Sequence, residues 1–160
     1  MTSPTSPGRL LGIDLGDRRI GIAVADPDSR IVLPQATLRR SRRVQDDAVV
    51  LARFAAEQRI AALVVGLPLD MDGSEGPQAT RTREWAAAIA DATSLPLRFR
   101  DERLTSVRAE ARLGSAGRGS SGGPPSAARR DAYRARVDRE AAALILQDEL
   151  DAGRGAGSEG

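Results

Sequence analysis

Two short apolar runs, at residues 10–15 (LLGIDL) and 20–25 (IGIAVA), flank the turn residues Gly16-Asp17-Arg18-Arg19. Strands joined by so short a connection form an antiparallel hairpin. A third strand is predicted over 31–38, after the turn residues Pro27-Asp28-Ser29, and Pro34 assigns it to a sheet edge because proline cannot donate to a ladder. The periodicity then changes. Apolar side chains at Val44, Ala48, Leu51, Ala52 and Ala55 predict a helix over 44–58. The unbroken apolar run 61–67 (AALVVGL) suits a strand buried on both faces of a parallel sheet. Turn residues fill 68–76, a helix with Pro77 in its first turn covers 77–92, and a short strand covers 97–100. Thr105 is expected to cap a helix running to Leu113. The segment 114–125 (GSAGRGSSGGPP) suits a mobile loop, and the final helix is expected from near Val137 to near Leu150.

The order is therefore β-β-β-α-β-α-β-α, a loop, then α. A three-stranded meander followed by β-α crossovers predicts a mixed five-stranded α/β sheet, strand order 3-2-1-4-5, with helices on both faces. That is the ribonuclease H-like arrangement. The domain is expected over 9–151, between a disordered leader at 1–8 and a loose tail at 152–160.

This topology makes Asp14 unusual, because it sits inside an apolar run on the strand expected at the sheet's centre. An ionised carboxylate there costs several kcal/mol unless paired or bound to a cation. Local backbone donors or an arginine would satisfy it equally well. Gly12 and Gly16 would leave room beside it for a metal and a phosphate. Asp101 and Glu102 end another predicted strand, where a solvated strand end is the plain alternative. Asp138 opens the last apolar helix, where an acid complementing the helix dipole is common. No single acid decides the matter, but three elements of one sheet edge can bring all three together.

Composition narrows the chemistry. The chain of 160 residues has no histidine and no cysteine, which excludes a Ser-His-Asp triad, a thiolate nucleophile and zinc held by His or Cys. Remaining options are carboxylates, hydroxyls, arginines and cations with oxygen ligands, which suits magnesium or manganese. All of the 24 basic residues are arginine, and net charge is +2. One cluster (Arg129, Arg130, Arg134, Arg136) leads into Asp138 and is expected to contact phosphates. Another (Arg39, Arg40, Arg42, Arg43) follows the edge strand, and Arg39 and Arg40 are expected away from the acids. A GC-rich coding bias alone would also enrich arginine. No apolar run reaches the ~20 residues of a membrane span, and the start lacks a secretory signal, so a cytoplasmic location is expected.

The motifs GIDLGDRRIGIAVAD (12–26), VVGLPLDMDGSEG (64–76), DERLTSVRAE (101–110) and VDREAAALILQDELD (137–151) resemble the YqgF/RuvX family across roughly residues 9–151. That family is described as Holliday junction resolvases and as nucleases that mature the 5′ end of pre-16S rRNA. The resemblance implies a metal-dependent nuclease whose ligands are Asp14, Glu102 and Asp138, with Asp101 the alternative to Glu102. Asp14 would bridge two Mg²⁺ or Mn²⁺ ions about 3.5–4 Å apart, and the other acids would each complete one side. Arg134 and Arg136 stand where the family usually has lysines. Arg103 and Ser74, the latter in the loop 68–76, are further candidates for phosphate contact. The expected partner is pre-rRNA or branched DNA, and a homodimer is left open. Two other readings compete: a nucleic-acid-binding adaptor with vestigial catalysis, and half of an actin- or sugar-kinase-like ATPase.

Overall fold

The computed structural model describes residues 8–115 and 122–157. The elements follow the predicted order: β1 (Arg9–Leu15), β2 (Arg19–Asp26), β3 (Ile31–Arg39), α1 (Val44–Glu57), β4 (Ile60–Leu67), α2 (Pro77–Thr93), β5 (Leu97–Asp101), α3 (Thr105–Leu113) and α4 (Ala127–Gly157). The sheet order is β3-β2-β1-β4-β5, with β1–β2 and β2–β3 antiparallel and β1–β4 and β4–β5 parallel. β3 lies at the edge, and the ladder shifts register opposite Pro34.

Strand alternation divides the core into two layers. Leu11, Ile13, Leu15, Ile20 and Ile22 pack beneath α1 and α2, with Leu51, Trp85 and Ile89. Leu10, Ala23, Ala25 and Val64 face α4, with Ala142, Ile145 and Leu146. Trp85 is core, as its alanine-rich setting suggests, and its indole N–H donates to the buried Asp47 carboxylate at 3.1 Å. Asp14 follows Leu10 and Gly12 on the α4 side.

Glycine sets how closely α4 lies. A Cβ on Gly12 would fall 2.5 Å from Leu146 Cγ and 2.8 Å from the Ala142 carbonyl oxygen, and one on Gly21 would collide with the Asp138 carbonyl. Gly12 therefore serves helix packing, not space for a ligand as its position beside Asp14 suggested. Ion pairs complete the attachment: Arg98 and Arg100 hold Glu149, Arg108 holds Asp148 and Arg112 holds Glu140.

Three boundaries differ from expectation. α4 starts at Ala127 rather than near Val137, with the Ser126 hydroxyl accepting the Arg129 N–H at 3.2 Å, an N-cap contact. Its first ten residues, AARRDAYRAR, carry high helix propensity but no apolar stripe, so periodicity alone passes over them. The helix also continues to Gly157, so residues 152–157 of the expected loose tail are helical; its last three residues, like leader residues 1–7, fall outside the described residues. Half of the expected mobile loop, residues 116–121, does so too. Finally, Thr105 does not cap α3. Leu104 occupies the cap in the left-handed region (φ 62°), and Thr105 is a buried first-turn residue. Among the described residues no helix is long and apolar enough to cross a membrane.

Candidate active site

β1, β4 and β5 run parallel, so their carboxyl ends share one edge of the sheet, where sites gather in open α/β folds. Asp14 lies one residue beyond the last β1–β4 pair, Ile13 with Val65. Glu102 follows β5 immediately, and its backbone N–H donates to the Leu67 carbonyl at 3.1 Å. Its side chain folds over β4 at Gly66. A Cβ there would run into the Glu102 carboxyl group and lie 2.5 Å from Ile145 Cδ1. Gly66 thus makes the space through which Glu102 reaches Asp14.

The two carboxyl groups share a hydrogen bond. Burial raises the pKa of both, taking Asp14 to about 6, and the nearby Asp138 charge adds to the rise. Glu102 is pushed further, by burial, by the Asp14 charge and hydrogen bond, and by Asp101. Two half-buried carboxyl groups in contact do not both ionise cheaply, which favours a proton shared between them.

Asp138 belongs to the same neighbourhood but has another partner. α4 presents it above β2, where Arg19 Nε donates to its Oδ2 at 2.8 Å, both side chains being partly exposed. As placed, no three acids among the described residues are gathered closely enough to enclose an ion. The convergence expected of Asp14, Glu102 and Asp138 is therefore partial. Mutual repulsion is relieved by the shared proton for two of them and by the guanidinium for the third. The donor set nevertheless suits a hard cation: it consists of carboxylate oxygens, two of them on half-buried side chains with no basic side chain paired to them in the described structure. Asp14, Glu102 and Asp138 are the residues that would hold it.

The remaining candidates occupy distinct surroundings. Asp101 turns away from the pair and binds Arg103, which holds its carboxyl below the usual carboxylate range. Arg103 is accordingly engaged, through Nε to Asp101 Oδ2 at 2.8 Å and Nη1 to the Met71 carbonyl at 3.0 Å. It ties the loop after β4 to the end of β5. Ser74 was expected to turn its N–H toward phosphate. Instead both its N–H and its hydroxyl donate to Asp72 Oδ1, at 2.9 and 2.6 Å, closing the loop on itself. The four arginines before Asp138 lie on α4 itself and divide between its faces. Arg130 and Arg134 precede Asp138 at four-residue steps, and Arg134 lines a hollow with it; Arg129 and Arg136, seven apart, share the opposite stripe. Arg130 also donates to the Pro125 carbonyl at 2.7 Å.

Sequence reasoning missed Arg19. The signal was available in the alternation of β2, which puts Arg19 and Gly21 on the face opposite to Ile20 and Ile22, the face that α4 covers. It also misplaced the other arginine cluster. Arg39 pairs with Arg19 across the β2–β3 ladder, and Arg40 donates to the Gly16 carbonyl at 3.1 Å. Both therefore lie on the edge that carries the acids, because two antiparallel reversals return the chain there.

Gly21 offers a direct test of this geometry. Gly21→Ala is expected to cost about 1–3 kcal/mol or more by overpacking against the Asp138 backbone. Calorimetry should record a lower Tm, and cleavage should fall with it as Asp138 shifts. An unchanged Tm would show that α4 does not lie against β2 at this point.

A five-stranded mixed sheet of order 3-2-1-4-5, with acids at the shared carboxyl edge, is a ribonuclease H-like core. The solved structure of Thermus thermophilus RuvC in complex with a Holliday junction substrate has this fold, at a TM-score of 0.55, with 16% identity, 92% of this chain and 96% of that one covered. The family model described as "RuvX: Holliday junction resolvase" matches residues 8–152, and the chain belongs to the RuvX family of nucleases. Similar proteins named "Putative pre-16S rRNA nuclease" include those of Bradyrhizobium diazoefficiens, 42% identical over 144 residues (90% of this chain, 83% of the relative), and Frankia casuarinae, 38% identical over 151 residues (94% and 70%).

Proposed function

We propose that this nuclease uses Mg²⁺ or Mn²⁺ at Asp14, Glu102 and Asp138 to hydrolyse phosphodiester bonds, and that its substrate in the cytoplasm is the 5′ end of pre-16S rRNA. The observation that carries the metal reading is the half-buried Asp14–Glu102 pair, two acids in contact with no basic partner among the described residues, at the sheet edge where a nuclease without histidine needs a cation. RNA is favoured over branched DNA because the relatives near 40% identity are named for pre-16S rRNA, whereas the likeness to RuvC shows fold alone.

Bound cations would supply an activated water and neutralise charge on the leaving oxygen. The chain's own part is positioning. Asp14 is held by its pairing with Gly21 of β2 and by β1, which is paired on both sides up to Ile13, and Gly66 admits Glu102 beside it. Arg19 holds the Asp138 side chain at the rim and adds positive charge where a phosphate would approach. Arg103 fixes the loop 68–76 against the same edge and thereby serves the site indirectly.

Cation binding must displace the proton shared by Asp14 and Glu102. Calorimetric titration with Mn²⁺ in buffers of different ionisation enthalpy is therefore expected to record about one proton released per protein near neutral pH, and affinity should rise with pH. Release of no proton would contradict the assignment of this pair as ligands. The function itself is tested with end-labelled precursor rRNA, single-stranded RNA and a Holliday junction, each with Mg²⁺, Mn²⁺ or EDTA. EDTA-sensitive cleavage of the rRNA precursor is expected; cleavage of the junction alone would reverse the choice of substrate.

A further inference from the structure

We propose that an arginine-lined cavity on the α1–α2 face of the sheet, beside the β1–β2 turn, binds the phosphodiester backbone of the substrate beyond the reacting phosphate. The inference takes the ligand's identity from the nuclease reading above but needs neither the metal nor the catalytic roles of the acids.

The cavity has a volume of about 640 Å³, and its walls include Arg18, Arg39, Arg40, Ser41, Arg42 and Trp85. It is connected to the acids. A hollow of about 380 Å³ holds Asp138, Arg134, Arg19 and Arg18, and another of about 400 Å³ holds Arg18, Arg19 and Arg39. Arg18 borders all three; Asp17, Asp131 and Asp138 balance the guanidiniums of the first hollow, and the lining becomes net positive from the second, where Asp131 faces Arg18, Arg19 and Arg39, round the tip of the hairpin to the opposite face.

Carboxylates do not neutralise the guanidiniums that line this cavity. Eight arginines, among them Arg83, Arg98, Arg108 and Arg112, are neutralised by carboxylates. Arg18, Arg39 and Arg42 have no carboxylate within 4.0 Å among the described residues. Two carboxylates also line the cavity. Asp17 lies at the exposed turn, and Asp47 is buried, so four guanidiniums leave the lining positive.

Asp47 makes the cavity a fixed shape. Its Oδ1 accepts the Ser41 backbone N–H at 2.8 Å, and its Oδ2 accepts the Trp85 indole N–H. On the other wall, Arg40 N donates to the Arg18 carbonyl at 2.8 Å, and the Arg40 guanidinium binds the Gly16 carbonyl. The loop carrying Ser41 and Arg42 is thereby stitched to α1, α2 and the β1–β2 turn. A preset spacing of guanidiniums lowers the entropy lost on binding, and planar forks match phosphate oxygens. With few aromatic side chains in the chain, such a surface holds backbone without reading bases.

The test measures binding by the full chain in EDTA, so that no cleavage occurs, using a labelled single-stranded RNA oligonucleotide across a salt series. Arg39 and Arg42 are exposed, so Arg39→Ala with Arg42→Ala leaves the core untouched. The double variant is expected to flatten the slope of log affinity against log salt by about 1.4, the effect of two lost phosphate contacts on a single strand. Arg39→Lys with Arg42→Lys should restore most of the slope, which a purely structural role of the guanidiniums would not. Arg9→Ala with Arg53→Ala, at the same cost in charge but outside the cavity, should leave it unchanged. Inorganic phosphate at equal phosphate concentration should compete poorly, which separates a polymer backbone from a free anion. A wild-type slope in the Arg39/Arg42 alanine variant, an equal loss in the Arg9/Arg53 control, or full competition by phosphate would overturn the proposal. Failure of the nuclease reading would appear separately, as EDTA-insensitive or absent cleavage with these slopes intact.

Discussion

Asp14→Asn is expected to lower cation-supported cleavage by about 10³-fold or more, while binding to nucleic acid in EDTA persists or tightens. The substitution keeps the shape of a side chain held on a central strand but removes the charge that would bind a cation. Loss of a negative charge near the path of the phosphates reduces repulsion, which explains the opposite sign for binding. Asp138→Asn should behave alike, and combining it with Asp14→Asn should add little, since the acids act as one unit. Single-turnover rates with Mg²⁺ and Mn²⁺ check this; near wild-type cleavage by Asp14→Asn with either ion would exclude the site.

Glu102→Gln should also abolish most cleavage, by roughly 10²–10³-fold, whereas Asp101→Asn should change it by less than about tenfold. The two residues are adjacent in sequence, yet only Glu102 reaches Asp14, and Asp101 is spent on Arg103. Stability moves the other way. The raised pKa of Glu102 means that the folded protein binds its proton more tightly than the unfolded chain does. The associated stability is complete below the ordinary carboxylate range near 4.5 and is lost as pH rises through the elevated folded value. Metal-free protein should therefore lose Tm from about pH 4 upward, past the value near 6 to which Asp14 is raised. Glu102→Gln, always neutral, should flatten that loss and be more stable than wild type at neutral pH in EDTA. A scanning series from pH 4 to pH 8 reads both; a greater loss of activity in Asp101→Asn than in Glu102→Gln would reverse the assignment within the pair.

Much of this was legible from residue pattern. Alternation and run length gave the meander, the buried β4 and the edge position of β3, because each rests on a local period and on one proline. Sheet order then followed from chain connectivity, and it put Asp14 and Glu102 at the same edge. What escaped depended on close approach between distant segments. Nothing local to Gly12 or Gly21 says that α4 will lie on them, so Gly12 looked like room for a ligand. The ion pair of Arg19 with Asp138 spans 119 positions in the chain. Ser74 shows the converse, since a turn-forming triplet was recognised while the direction of its N–H was not. The first turns of α4 carry propensity without a buried face, and that signal is weaker than periodicity.

Manganese anomalous scattering from crystals grown with Mn²⁺ tests the central claim most directly. The account predicts anomalous density between Asp14 and Glu102, with carboxylate oxygens at about 2.1–2.2 Å. The Asp14–Glu102 hydrogen bond should be gone and Asp138 drawn toward the pair from Arg19. Density confined to the Asp70–Asp72 loop, or an unchanged Asp14–Glu102 hydrogen bond at saturating Mn²⁺, would contradict it.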